Sequence, residues 1–186
     1  MFKKNGLSLL LIVVVLLTVV QFASVAATTK VIPDRTLETA ILKQLKLNKA
    51  TVTTTDLAKL KKLVAENLNI KNIQGLQYAK YLTDLDLSGN LIADLTPLRS
   101  LSNLVTLDVE SNKIRNIDAL ANKKLLVDLN VNNNRLTNLS VLSTSKALDS
   151  IQAVNNQLTS LSGLYDFQGT YADFSDNRIT ELRVEN

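Results

Sequence analysis

The chain has 186 residues, a formal net charge of +4, and neither histidine nor cysteine. Those absences exclude disulfides, a lipid-modified cysteine anchor, thiolate or imidazole metal sites, and serine–histidine or cysteine–histidine nucleophile pairs. The 5 glycines are scattered, which excludes a glycine-rich phosphate loop, and no Lys/Arg-rich run argues for nucleic acid.

Residues 1–27 read as a secretory signal peptide. Lys3 and Lys4 precede an uncharged run from Leu7 to Val20, and small residues follow at Ala23, Ser24, Ala26 and Ala27. The expected outcome is export with cleavage after Ala26 or Ala27, giving an extracellular, secreted or cell-surface protein with no remaining membrane span. The alternative is an uncleaved N-terminal anchor, since Leu7 to Ala27 just reaches the ~20 residues that span a bilayer. Cleavage removes two cations and no acids, lowering the net charge to +2.

Residues 28–59 read as a helical N-terminal cap. Leu37, Ala40, Ile41, Gln44 and Leu45 form a helical stripe behind Pro33 and Asp34, with Asp34 placed as the N-cap. A second short helix is expected to start within Thr53-Thr54-Thr55-Asp56 and to run through Leu57 and Leu60.

Residues 60–186 carry the dominant pattern. Asn90, Asn112, Asn134 and Asn156 stand 22 residues apart, and Asn177 follows after 21. Apolar columns accompany them: Leu82/Leu104/Leu126/Leu148, Leu85/Leu107/Leu129/Ile151 and Leu87/Val109/Val131/Ala153 upstream, then Ile92/Ile114/Leu136/Leu158/Ile179 downstream. Leucines at fixed offsets from an Asn, repeating every 20–29 residues, mark a leucine-rich repeat solenoid. The expected fold is an α/β solenoid: a right-handed horseshoe with a parallel concave β-sheet, a 3₁₀ or extended convex side and a helical cap. Its first coil, 60–81, is degenerate, with Leu68 at the Asn position, and further coils start near 82, 104, 126, 148 and 169. The ladder Asn90, Asn112, Asn134, Asn156 and Asn177 is read as structural. Each amide is expected to serve turn backbone groups, and losing one such partner should cost ~1–3 kcal/mol. At the far end Gly169 and Ala172 stand at leucine positions. Either Tyr165, Phe167, Tyr171 and Phe174 close the stack, or the chain is shorter than its design.

At this point the chain resembles the bacterial internalin family. The cap opening Ile32-Pro33-Asp34, the junction Leu68-Asn-Ile70-Lys-Asn-Ile73-Gln-Gly75-Leu76 and the unit Asn90-Leu-Ile92-Ala-Asp94-Leu95-Thr-Pro97-Leu98 carry the likeness, which extends over about 31–183. The resemblance implies export by a Gram-positive bacterium, frequent display on the cell surface, and binding of host or other proteins through the concave sheet. It also implies an immunoglobulin-like region and sometimes a wall-sorting motif. Neither is found here, which would suit a small secreted member or a truncated product.

Residues between the inward leucines should face the concave side. They include an acidic patch, Asp84, Asp86, Asp108, Glu110 and Asp128, and one projecting aromatic, Tyr171. One position beyond the asparagines, Lys113 and Arg135 start a broken basic ridge. These eight residues are the partner-binding candidates, and the surface would favour a basic protein partner. The bland alternative is a solvated strand face. Asp86 and Asp108 should lie ~5 Å apart, a spacing also seen in retaining glycosidases, and with Glu110 they could offer oxygens to calcium. A shallow wet sheet raises no carboxyl pKa enough for catalysis, and no loop wraps an ion. The reading is therefore a monomeric, non-enzymatic protein-binding module with no cofactor, no metal site and no nucleic-acid partner. The alternatives are a structural or truncated surface protein without a tight ligand, or a cation-dependent or carbohydrate-binding module.

Overall fold

The computed structural model describes residues 30–180, so the expected signal peptide and the final leucine position Leu182 lie outside the described residues. The described residues from Val31 to Thr180 belong to one compact unit. Helices α1 (Arg35–Gln44) and α2 (Thr54–Leu57) precede six three-residue strands: β1 (Lys62–Val64), β2 (Asp84–Asp86), β3 (Thr106–Asp108), β4 (Asp128–Asn130), β5 (Ser150–Gln152) and β6 (Tyr171–Asp173). All six pair in parallel and in sequence order. Four 3₁₀ segments, Leu76–Tyr78, Thr96–Leu98, Asp118–Leu120 and Ser140–Thr144, return the chain on the far side. This is the expected leucine-rich repeat solenoid.

Register follows the leucine columns. Leu63, Leu85, Leu107, Leu129 and Ile151 are successive partners across the sheet, and all five are buried. A one-residue slip in β2, β3 or β4 would turn its leucine to solvent and an acid or amide to the core, so the column fixes the pairing. The downstream residues Ile92, Ile114, Leu136 and Leu158 are also fully buried. Each coil thus lends leucines from both sides to one continuous core.

Each ladder asparagine uses both ends of its amide. In Asn112, Oδ1 accepts from Ile92 N at 2.9 Å, while Nδ2 donates to Leu87 O, Val109 O and Glu110 O. Asn134 repeats this with Ile114 N, Val109 O, Val131 O and Asn132 O, and Asn156 repeats it again one coil on. One acceptor and one donor bond thus always reach the preceding coil. The first coil has no sheet strand before it to serve, which accounts for Leu68 at that position, left 38% exposed.

A second column runs beside the ladder. The residue just before each ladder position has a left-handed backbone: Asn67, Gly89, Ser111, Asn133, Asn155 and Asp176, with φ between 53 and 66°. Gly89 has a further constraint, because a Cβ there would meet Asn67 Oδ1 at 2.1 Å. Ser111 is the one residue of the column outside the Gly, Asn and Asp set that tolerates this conformation.

The cap departs in detail from the expected stripe. Leu37 and Ile41 are buried, but Glu38 joins them, and its Oε1 accepts from Val52 N. Gln44 is exposed. Helix α2 ends at Leu57, before Leu60, and carries a capping box between Thr53 and Asp56. Asp34 does more than cap α1. Its Oδ1 accepts from Thr36 N and Leu37 N, and its Oδ2 accepts from Lys71 N and Asn72 N of the first coil. Burial pushes this carboxyl up, but the four amides outweigh it and hold it below the ordinary value of 3.8. Bonds from Lys49 and Thr53 bring Asp56 down to about 2.

At the far end Phe167 and Phe174 pack on the core, while Tyr165 and Tyr171 stay about half exposed. At Gly169, in the leucine column, a Cβ would fall 2.3 Å from the backbone oxygen of Asp149 and 2.2 Å from Phe167 Cζ, so no side chain fits there. In the column of buried residues Ala79 and Leu101, Lys123 is buried too, its ammonium donating to Arg99 O at 2.7 Å. Burial, and then the Arg99 charge, lower its pKa.

Ser111→Asn should raise stability by ~0.5–1 kcal/mol, because Asn accepts a left-handed backbone more readily, as urea denaturation would measure. Asp34 and Asp56 both have folded pKa values below their unfolded ones. Their contribution is full above the ordinary value of 3.8 and is lost as pH falls below it, for Asp56 as pH approaches about 2. Amide hydrogen exchange in α1 and α2 should therefore speed up across that window ahead of the central coils, and Asp34→Asn should already show part of the effect at neutral pH.

Candidate functional site

The strand pattern of in-and-out side chains lays three rows across the concave face. The first is Lys62, Asp84, Thr106, Asp128, Ser150 and Tyr171; the second is Val64, Asp86, Asp108, Asn130, Gln152 and Asp173. Ser88, Glu110 and Asn132 belong to a third, just past the strands. A depression of about 380 Å³ lies over β1–β5, and Asp84, Asp86, Asp108 and Asp128 line it.

The five acids are not equivalent. Asp86 and Asp108 are direct strand partners, with Glu110 two residues along from Asp108. Asp84 and Asp128 are held apart by Thr106, whose hydroxyl donates to Asp84 Oδ1 at 3.0 Å. Tyr171 lies two strands beyond Asp128 in the same row, 49% exposed. Lys113 and Arg135 are exposed on the neighbouring turn, away from the strand rows. Their backbone amides bond Ile92 O and Ile114 O, which spaces this ridge by one coil per residue.

Neutral donors, rather than cations, hold the acidic strip. Ser88 N and Oγ both donate to Asp86 Oδ1, and Glu110 N donates to Asp108 Oδ1. Asn130 Nδ2 bridges Asp108 Oδ2 and Glu110 Oε2 at 3.0 and 2.9 Å, and Asn133 Nδ2 donates to Glu110 Oε1. Among the described residues, the ion pairs are Lys49–Asp56 and Lys146–Asp166, both elsewhere. The strip therefore keeps its negative charge for an outside partner. Burial pushes the Asp108 carboxyl up, and the Asp86 and Glu110 charges add to this, against the bonds from Glu110 N and Asn130.

Lys62 and Asn130 were not among the sequence candidates, though the 22-residue spacing places both, as Asp84 minus 22 and Asp108 plus 22. Lys62 puts a cation at the head of the first row. Asn130 occupies, with an amide, the place between two carboxylates where a cation would otherwise sit. No group of three or more His, Cys, Asp or Glu suited to a metal is present among the described residues.

Short parallel strands, 3₁₀ returns and an asparagine ladder with a polar, open sheet face define the class, a leucine-rich repeat protein. A family model described as leucine rich repeats (2 copies) matches residues 80–122, the coils of β2 and β3. The fold is similar to an internalin from Listeria monocytogenes, at 29% identity and a TM-score of 0.78, covering 85% of this chain and 49% of that one. It is also similar to internalin C2 of the same organism, at 26% identity and a TM-score of 0.52, covering 86% of this chain and 93% of that one. A leucine-rich repeat protein of Leptospira interrogans shares the fold at 24% identity and a TM-score of 0.65, covering 72% of this chain and 36% of that one. The chain thus spans about half the length of the first of these. Its fold is that of a leucine-rich repeat protein and is similar to that of the Listeria internalins.

Because the Asp108 pKa is raised, its charge disappears at a higher pH than that of an ordinary aspartate. Binding of an oligolysine peptide to the concave face should weaken on acidification, starting above the usual carboxylate range. In Asp108→Asn that upper part of the titration should be missing, as fluorescence polarisation would measure.

Proposed function

We propose that this protein is an exported binding module that docks a protein partner bearing basic side chains on its concave face. The observation that carries the reading is the acidic depression over β2–β4, whose carboxylates are held by hydroxyls and amides and form no ion pair among the described residues, with Lys62 alone at its edge. Charges arranged in this way steer a partner of opposite sign and set its register more than they add affinity. Tyr171 supplies a lone aromatic at one end of the first row, and Lys113 and Arg135 discourage a basic partner from sliding onto the turn edge. The protein acts by binding and not by catalysis. The apolar N-terminal run supports export, and the likeness to Listeria internalins supports a secreted or cell-surface role toward a host. Among the described residues no helix is long and apolar enough to cross a membrane.

The test is capture of surface and secreted proteins from candidate hosts by the immobilised protein. Wild type should retain a partner with an affinity that falls as salt rises. Asp86→Lys with Asp108→Lys should cut that retention roughly tenfold or more with far-UV circular dichroism unchanged. Equal retention by wild type and the double variant would reject the acidic strip as the site.

A further inference from the structure

Helix α1 and the first strand enclose a second concavity, of about 860 Å³, lined by α1 from Arg35 to Gln44, by Lys46, and by Val64, Ala65, Glu66 and Leu68. Three features of it point to one kind of occupant.

The first is its apolar floor. Val64 and Leu68 are 41% and 38% exposed, unusual values in a chain whose other repeat leucines are almost all buried. Ala40 of α1 faces them across the groove. The stack's rules do not require these side chains to be exposed: Leu68 stands where later coils carry a buried asparagine, and Val64 where they carry Asp86 and Asp108.

The second is backbone. Parallel pairing alternates the direction of main-chain groups, and Lys61 O and Ala65 N both bond β2, to Asp84 N and Asp86 O respectively. By the same alternation the amide and carbonyl of Val64 point to the other edge, toward the groove. Strand β1 is the end strand of the sheet, and no hydrogen bond to that side of Val64 is formed among the described residues. An unpaired strand edge of this kind is a template for an added strand.

The third is charge. Arg35, Lys43 and Lys46 stand on the rim, all exposed, against the single acid Glu66. This is the opposite sign to the depression over β2–β4, which it meets at Val64, a residue lining both.

From these we propose that the groove between α1 and β1 is a second binding site. It takes an extended peptide segment of a partner protein, one that alternates acidic with apolar side chains and adds to the edge of β1. The apolar side chains rest on Ala40, Val64 and Leu68, the acidic ones reach Arg35, Lys43 and Lys46, and Val64 supplies main-chain hydrogen bonds. The site is separate from the concave acidic strip and selects the opposite charge.

The probe is a fluorescein-labelled peptide of about ten residues alternating Asp with Leu, titrated with the whole protein and followed by fluorescence polarisation. Saturable binding is expected, weakened roughly tenfold or more by Arg35→Glu with Lys43→Glu, by Leu68→Asp, and by N-methylation of alternate amides in the peptide. The first pair is exposed on one face of α1, so circular dichroism should show the fold intact. Asp86→Lys with Asp108→Lys should not weaken this binding, and as Asp86 pairs with Val64 the added cations would if anything favour the acidic probe, which separates the groove from the concave strip and lets either site fail alone. The proposal is overturned if the charge-reversed pair still binds the probe, or if a peptide with Lys in place of Asp binds as well. It is also overturned if N-methylation has no effect, or if sedimentation finds a dimer that Leu68→Asp abolishes, in which case the groove holds a second copy of this chain.

Discussion

The fold depends on an asparagine amide that reaches backward. From Asn90 to Asn177, each Nδ2 donates to a carbonyl of the coil before its own, and each Oδ1 accepts an amide from that same coil. Three-residue strands make few ladder bonds, and the turn that follows would otherwise bury unpaired groups at a cost of ~1–3 kcal/mol each. The asparagine satisfies these groups and sets the coil spacing in the same contact. It can do so because the preceding residue adopts a left-handed backbone, which turns the chain sharply at the end of the strand. Turn and ladder are one device, repeated.

The direction of that device explains both ends of the stack. The first coil has no strand behind it, so it needs no asparagine and carries Leu68. A different connection is needed there, and Asp34 provides it, with one oxygen for the α1 amides and the other for the first coil. This is the same logic in another residue, one polar side chain holding the backbone of two units. At the other end, Asn177 reaches back as its predecessors do, and Phe167 and Phe174 take over part of the leucines' role.

With the inward residues committed to the core, the sheet face is free to carry charge, and it does so at some cost. Burial on the sheet raises the Asp108 pKa, the charges of Asp86 and Glu110 add to it, and the bonds from Glu110 N and the Asn130 amide offset it only in part. A face under no constraint beyond solubility would mix its signs, whereas here the signs are sorted. The acids gather over β2–β4, and the cations gather on α1 and on the turn edge.

The sequence by itself determined the period, the inward columns, the ladder positions and the acids that share the strand face, because a solenoid turns spacing directly into place. The left-handed column was also written there, as Asn, Gly, Ser, Asn, Asn and Asp one position before the ladder, but it reads as ordinary turn residues until the backbone is seen. Only the tertiary structure decided how far each helix of the cap runs, that Glu38 and Lys123 are buried, and that Asn130 stands between two carboxylates. The groove beside β1 is likewise a tertiary product. Its walls come from a helix and an end strand with no common period, so no count along the chain could bring Lys43 opposite Leu68.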